Sequence, residues 1–331
     1  MNEKIKEKCD LLAENYQITQ NSAKLDHAQA AALGALIYTS QNEKAAEEDI
    51  RSSRKLLHSK TSGFSSLNGY TNLALLCKMS LADDAEVYLD KVIAAYDHLK
   101  RGIFHSEYEA LAAVCIADSA DPSRYEEIGE KTVDIMNRMS KIHPLLTGAS
   151  DTSVAAMLAL TDYDIDEKLA EAEECYELVN KGKFTLSKDA LQSVSMILAL
   201  SSGSVQEKCE RFNSLRNALS KTKSEISGEQ LPMLAVFAGT EGEPEQIAAD
   251  IDEACRYLKD KSGFGNWFGV GYKMRVTLAA AVVLQAYQEA SGTAGAGNTV
   301  ASVITQQIVL DIVMLMVASA SAAAASAAAR K

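Results

Sequence analysis

The chain has 331 residues, 47% of them hydrophobic, and a formal net charge of −12 at pH 7. This acidic balance argues against nucleic acid or an anionic membrane as the main partner, because both attract surfaces rich in Lys and Arg. The N-terminus is charged and has no apolar stretch behind it, so we do not expect a signal peptide. Six cysteines without a Cys-x-x-Cys motif are typical of a cytoplasmic protein with reduced, buried thiols.

A repeat of about forty residues runs from near the N-terminus to residue 290, and a fixed period in this range is the signature of a helical array. Short hydrophilic breaks recur 39 to 42 residues apart, at Ser40, Ser80, Ser119, Thr161, Ser201 and Thr240. A second set of landmarks keeps the same spacing, at Leu57, Leu99, Met139, Val179, Leu219 and Leu258. The sequence therefore predicts an all-α fold of about six helical hairpins, curved into a solenoid or closed towards an α/α toroid.

Each repeat contains a short apolar helix followed by a longer amphipathic helix. Residues 153–160 and 193–200 are matching apolar helices, and such helices should be buried on most sides. The amphipathic helices begin with capping residues, such as Ser204 with Glu207 and Glu243 with Pro244. We expect the apolar helices to form an inner layer and the amphipathic helices an outer layer.

The domain prediction has three parts. Residues 1–290 form the repeat domain, which opens with a capping helix over residues 1–20, and residues 291–299 form a Gly-rich linker. Residues 300–331 form a helix that is first apolar and then Ala-rich, and its apolar part is too short and too interrupted to span a bilayer. We expect this helix to pack on the repeat domain, on its concave side, or to pair with a second copy in a homodimer.

Several segments resemble an uncharacterised bacterial family catalogued as domain of unknown function 4003. They are the apolar helices at residues 70–76 and 111–113, the segment from Tyr96-Asp97-His98-Leu99 to Gly102-Ile103-Phe104, and the Gln- and Ala-rich helix from Gln306. The resemblance covers nearly the whole chain and implies an all-helical cytoplasmic protein. It brings no activity, because none of these segments is catalytic.

The most unusual stretch is the glycine-rich aromatic loop at residues 263–272. It contains Phe264, Trp267, Phe268 and Tyr272, and the tryptophan is the only one in the chain. Aromatic side chains on such a loop can anchor a peptide or a ligand. They can equally cover the apolar last helix and seal the end of the array, so both alternatives stay open.

Two further groups of polar residues are candidates for a site. His105 and His143 lie at loops that an array could bring together, although ordinary surface histidines explain them as well. Asp311 is the one acid in the apolar C-terminal run, where burial would raise its pKa and solvation would leave it an ordinary surface acid. No histidine spacing indicates a metal, and the glycines before residue 300 lack the Lys of a phosphate loop. We therefore predict no metal and no cofactor.

Two functions fit these features. The first is a non-enzymatic scaffold that binds a protein or peptide partner on its concave side or at its C-terminal edge, as helical arrays do. The alternative is an α/α barrel that binds or processes an apolar small molecule in a central cavity. A cavity protein should gather polar residues with perturbed pKa values around a deep pocket. A scaffold should instead expose an open groove or an apolar patch.

Overall fold

A computed structural model of the chain describes residues 1–22, 28–62, 65–69, 72–100, 107–181, 188–265, 269–291, 308–310 and 312–313. These residues form α-helices and short 3-10 turns, and no β-strand occurs among them, which confirms the all-α class. The helices are α1 (Glu3–Ser22), α2 (Ala28–Ser40), α3 (Glu47–Lys60), α4 (Asn72–Leu81), α5 (Ala85–Leu99), α6 (Glu107–Ser119), α7 (Tyr125–Ile142), α8 (Thr152–Ala159), α9 (Ile165–Asn180), α10 (Lys188–Leu200), α11 (Val205–Leu219), α12 (Pro232–Ala235), α13 (Pro244–Lys259) and α14 (Tyr272–Ala290).

The helices alternate between two kinds along the chain. The even-numbered helices are buried along most of their length, and in α2 every residue from 30 to 39 is buried. The odd-numbered helices bury one stripe, which in α7 contains Ile128, Thr132, Ile135 and Met139 at helical spacing. We call these two sets the buried helices and the amphipathic helices.

The amphipathic helices begin where the sequence supplies a cap. Asp84 accepts hydrogen bonds from two backbone N–H groups at the start of α5, and Ser204 forms the predicted capping box with Glu207 before α11. From α3 onward, the amphipathic helices begin 38, 40, 40, 40 and 39 residues apart, at Glu47, Ala85, Tyr125, Ile165, Val205 and Pro244.

The first amphipathic helix, α1, lies beside α13 and α14. Helix α1 packs against α2 and α3 on one side and against α13 and α14 on the other. Polar side chains join these elements: the Tyr257 hydroxyl donates to Asp10 Oδ1 at 2.9 Å, and Lys8 Nζ lies 2.8 Å from Glu289 Oε1. Residues more than 240 positions apart in the chain are therefore in direct contact.

Five residues of the C-terminal segment are described, and all are apolar and buried. Ile308, Val309, Leu310, Ile312 and Val313 are between 0 and 6% exposed. Leu310 borders one small void together with side chains of α2, α4 and α6, and it borders a second with side chains of α2 and α14. Apart from Ser291, the predicted linker at residues 291–299 lies outside the described residues.

All six cysteines are buried free thiols, as the sequence predicts. In the described part of the chain, no helix combines the length and the apolar character needed to cross a bilayer.

Candidate functional site

A cavity with described walls lies at the N-terminal ends of four buried helices, α6, α8, α10 and α12. It has a volume of about 380 Å³, and we call it the inner cavity. Its polar lining residues are Tyr108, Ser150, Asp151, Asp189, Gln192, Ser193 and Glu229. Its apolar lining residues are Leu146, Val154, Met157, Ala190, Ile197, Pro232, Ile308 and Ile312. This volume is near the lower end of the range for small-molecule sites.

Helix geometry explains why acids and apolar residues meet here. Asp151 lies immediately before α8, and Asp189 is the second residue of α10, so both carboxylates are near the positive end of a helix. Val154, one turn beyond Asp151, and Ile197, about two turns beyond Asp189, come from the apolar bodies of the same two helices. Ile308 and Ile312 complete the apolar wall from the C-terminal segment.

Asp151 is the buried acid of the inner cavity, and only 6% of it is exposed. Its Oδ2 accepts a 2.9 Å hydrogen bond from the Gly148 N–H, and its carboxyl also has a hydrogen bond with the Gln192 side chain. Burial raises the pKa of Asp151 to about 6, and the charge of Asp189 adds to the rise, whereas the two hydrogen bonds oppose it. The folded protein therefore disfavours the charged form of Asp151.

Gln192 lies beside Asp151 and is 4% exposed. Its side chain has a hydrogen bond with Asp151, while its Oε1 atom has no hydrogen-bond partner in the described part of the chain. An amide oxygen buried without a donor is unfavourable by about 1–3 kcal/mol. This oxygen has almost no accessible surface, so it is enclosed by protein atoms and is not open to the cavity.

The inner cavity has the features of a binding site. Its described lining joins three carboxyl groups and several neutral polar groups to an apolar wall, without a Lys, Arg or His side chain. Across the described residues, no group of three or more His, Cys, Asp and Glu side chains is arranged to hold a metal ion. The arrangement can orient a small molecule by its polar end and cover its apolar part.

Of the residues predicted from the sequence, Phe264 is fully buried. Its ring is tilted against that of Tyr16 in α1, with 5.0 Å between the centroids, and its carbonyl oxygen accepts a hydrogen bond from Arg275. Gly263 next to it has a φ of +87°, and a Cβ there would lie 2.3 Å from a ring atom of Tyr16. Phe264 is therefore in position to stabilise the junction of α1 with the end of the repeat region.

Tyr272 and His143 lie outside the lining of the inner cavity. Tyr272 is 45% exposed at the start of α14, and its hydroxyl donates to the Lys223 carbonyl oxygen. His143 follows α7, where its Nε2 lies 2.9 Å from Glu173 Oε1 and its ring packs 5.1 Å from that of Tyr176. Trp267, Phe268, His105 and Asp311 lie outside the residues whose side chains are described, so their roles stay predictions.

Sequence reasoning missed Asp151 and Gln192, although a signal for them was present. Both residues stand at the start of the matched apolar helices, in which Ser153-Val154 corresponds to Ser193-Val194. Of these four, Val154 and Ser193 line the inner cavity. Polar residues at the same end of two neighbouring buried helices could have been grouped as one site.

Comparison with known proteins places the chain in a family without assigning it an activity. No curated protein and no solved structure matches it. The family model described as "Protein of unknown function (DUF4003)" matches residues 15–316, which is most of the chain. The chain therefore belongs to the DUF4003 family.

Proposed function

We propose that the chain is a ring of helical hairpins that binds a small molecule in the inner cavity. The single observation that carries this proposal is the cavity of about 380 Å³, whose wall joins the buried acid Asp151 to apolar side chains. A cavity of this size that combines a few polar groups with an apolar wall is the usual form of a small-molecule site.

Ring closure is proposed from the two ends of the repeat region. Helix α14 is buried like the apolar first helix of each hairpin, and α1 is amphipathic like the second helix. Because α1 packs against α13 and α14, the two chain ends together supply one further hairpin between the last repeat and the first. Repeats that each leave one face uncovered gain stability when the first and last units cover each other.

The protein-binding scaffold requires an accessible apolar groove or patch, and two observations favour the cavity over it. Residues 308–310 and 312–313 already lie buried against the buried helices. The large apolar side chains that are exposed in the described part of the chain are spread over several elements: Val87, Ile142, Leu145, Tyr163 and Tyr272. Surface apolar residues of this kind are ordinary when they are scattered.

Native mass spectrometry of the full-length protein tests the proposal. We expect gently purified wild-type protein to retain an extra mass that is absent from Val154→Trp, in which the larger side chain fills part of the inner cavity. Val87→Trp is the matched control, because Val87 is 51% exposed on α5 and its variant should retain the same mass. A bare mass for wild-type protein, or an extra mass kept by Val154→Trp, would contradict ligand binding in this cavity.

A further inference from the structure

Two of the buried thiols lie side by side on neighbouring amphipathic helices. Cys175 belongs to the buried stripe of α9 and Cys209 to that of α11, and these two helices pack against each other. The two cysteine side chains share a hydrogen bond, so their sulfur atoms are in contact. The described lining of the inner cavity contains no cysteine, and the pair is therefore a separate feature of the fold.

An ion pair beside the two thiols fixes the same register between the helices. Lys208 in α11 forms this ion pair with Glu171 in α9. The two residues lie directly before Cys209 and one helical turn before Cys175, respectively. Lys208 is 1% exposed, and its Nζ also donates to the Ser201 carbonyl oxygen at 3.0 Å. The sulfur atoms are thus held together, and a disulfide requires cysteines that point towards each other.

The surroundings of the pair make Cys209 the more reactive of the two thiols. The hydrogen bond with Cys175 and the positive charge of Lys208 lower the pKa of Cys209. Burial and two nearby acids, Glu174 and Glu171, oppose this shift of the pKa. The same hydrogen bond, together with burial, raises the pKa of Cys175. Because the thiolate is the nucleophilic form, Cys209 is the sulfur that reacts first.

Burial decides which oxidants can reach the pair. Cys175 is fully buried and Cys209 is 3% exposed. A bulky disulfide such as oxidised glutathione must bring its own sulfur directly against the attacking thiolate, which this burial prevents. Hydrogen peroxide is little larger than water. Cys209 lies near the start of α11 between the exposed Glu207 and Glu210, so a thin layer of side chains separates it from solvent.

We propose that Cys175 and Cys209 form an oxidation site, in which hydrogen peroxide converts the two thiols into a disulfide that joins α9 to α11. In the first step the Cys209 thiolate attacks a peroxide oxygen: an S–O bond forms, the O–O bond breaks, and the departing hydroxide takes up the proton that the thiol had lost. In the second step the Cys175 sulfur attacks the Cys209 sulfur: the S–S bond forms, the S–O bond breaks, and hydroxide leaves with the Cys175 proton as water. The thiol pair loses two electrons, and the peroxide is reduced to two waters.

Peptide mapping of the folded, full-length protein tests the proposal. The protein is reduced, freed of reductant, treated with dilute hydrogen peroxide, blocked with N-ethylmaleimide and digested without a reducing agent. We expect the peptide that contains Cys175 to be joined to the peptide that contains Cys209. The number of free thiols should fall from six to four, because two of the six cysteines are consumed. Dithiothreitol should reverse both changes.

Variants assign the role of each sulfur. Cys175→Ser keeps a hydrogen-bond donor beside Cys209 but cannot form the disulfide, so dimedone should label Cys209 as a sulfenic acid. Cys209→Ser removes the attacking thiolate, so peroxide should leave Cys175 unlabelled under the same conditions. Cys77→Ser is the matched control, because Cys77 is a fully buried thiol on α4, and this variant should keep the cross-link.

Several results would overturn the proposal, and the first three come from wild-type protein and need no variant to fold. Cys9 and Cys255 are also near enough for their charges to interact, although burial raises the pKa of Cys9 to about 12. A cross-link between those two cysteines in place of the Cys175–Cys209 bond would contradict it. So would a Cys175–Cys209 bond that forms only in urea-unfolded protein, or faster cross-linking by oxidised glutathione than by peroxide. A cross-link that Cys77→Ser abolishes would also contradict it.

Discussion

Replacing Asp151 with asparagine should stabilise the protein, even though the same change should weaken ligand binding. Asparagine keeps the size of the side chain and the oxygen that accepts the Gly148 N–H, and it removes the buried charge. The Gln192 amide nitrogen donates to the carboxylate in the wild type, so the Gln192 amide must turn over in the variant, which lets its Oε1, without a partner in the described structure, accept from the new N–H group. Residues kept for binding at the expense of stability commonly behave in this way.

The pKa of Asp151 gives the magnitude. Burial raises it from 3.8 to about 6, and a difference of about two pKa units at about 1.4 kcal/mol each corresponds to about 3 kcal/mol. The folded state binds the proton more tightly than the unfolded state, so the free energy of unfolding falls as the pH rises between about 4 and 6. The loss of stability caused by the charged Asp151 carboxylate is absent below about pH 4 and reaches its full size above about pH 6.

Urea denaturation of wild-type and Asp151→Asn proteins at several pH values measures this difference. We expect the variant to gain about 3 kcal/mol at about pH 7.5, about half as much at pH 5, and well under 1 kcal/mol at pH 4. Asp189→Asn is the control, because Asp189 is exposed at the rim of the inner cavity and its replacement should change stability by about 0.5 kcal/mol or less. A loss of stability of equal size at every pH would refute the reasoning, since it would mean that Asp151 mainly stabilises the fold.

Three further predictions concern the junction of the chain ends and the C-terminal segment. Phe264→Ala should lower the free energy of unfolding by about 3–5 kcal/mol in urea denaturation, because a fully buried ring is lost, and a change below about 1 kcal/mol would contradict its place in the core. Gly263→Ala should cost more than the roughly 1–2 kcal/mol of the left-handed backbone alone, because its Cβ would meet Tyr16, whereas Gly271→Ala has open space and should be nearly neutral. Deleting residues 300–331 should lower the Tm and increase binding of a hydrophobic dye, since apolar residues of that segment lie buried against the helices, and an unchanged melting curve would argue against that packing.

Local sequence rules predicted the alternation of apolar and amphipathic helices and several of the helix starts. The apolar run in α2 and the capping box of Ser204 with Glu207 follow from hydrophobic pattern and side-chain hydrogen bonding over a few residues. Among the described α-helices the shortest is α12, which has four residues and continues as a 3-10 turn from Val236 to Gly239. Its sequence is as apolar as that of the other buried helices, so the pattern alone did not predict its length.

The candidate site depends on contacts that no local pattern contains. Tyr108, Gln192 and Ile312 line the same cavity although they are far apart in the chain, and which ends of the buried helices meet is decided by their packing. The sequence pattern instead indicated a site among the aromatic residues of the loop at residues 263–272. Of these, Phe264 packs against Tyr16 of α1 and does not line the inner cavity.

The most direct test of the central claim, that a small molecule occupies the inner cavity, is a methyl NMR titration of protein labelled at its methionine methyl groups. Met157 lines the cavity, whereas Met79 is a buried methionine on α4 that does not. The account predicts that 1-hexanol, a small probe with a polar end and an apolar body, shifts the Met157 resonance in a saturable way and leaves that of Met79 unchanged, with both assigned by Met→Leu variants. An unmoved Met157 resonance, or equal small shifts at all methionines, would contradict it.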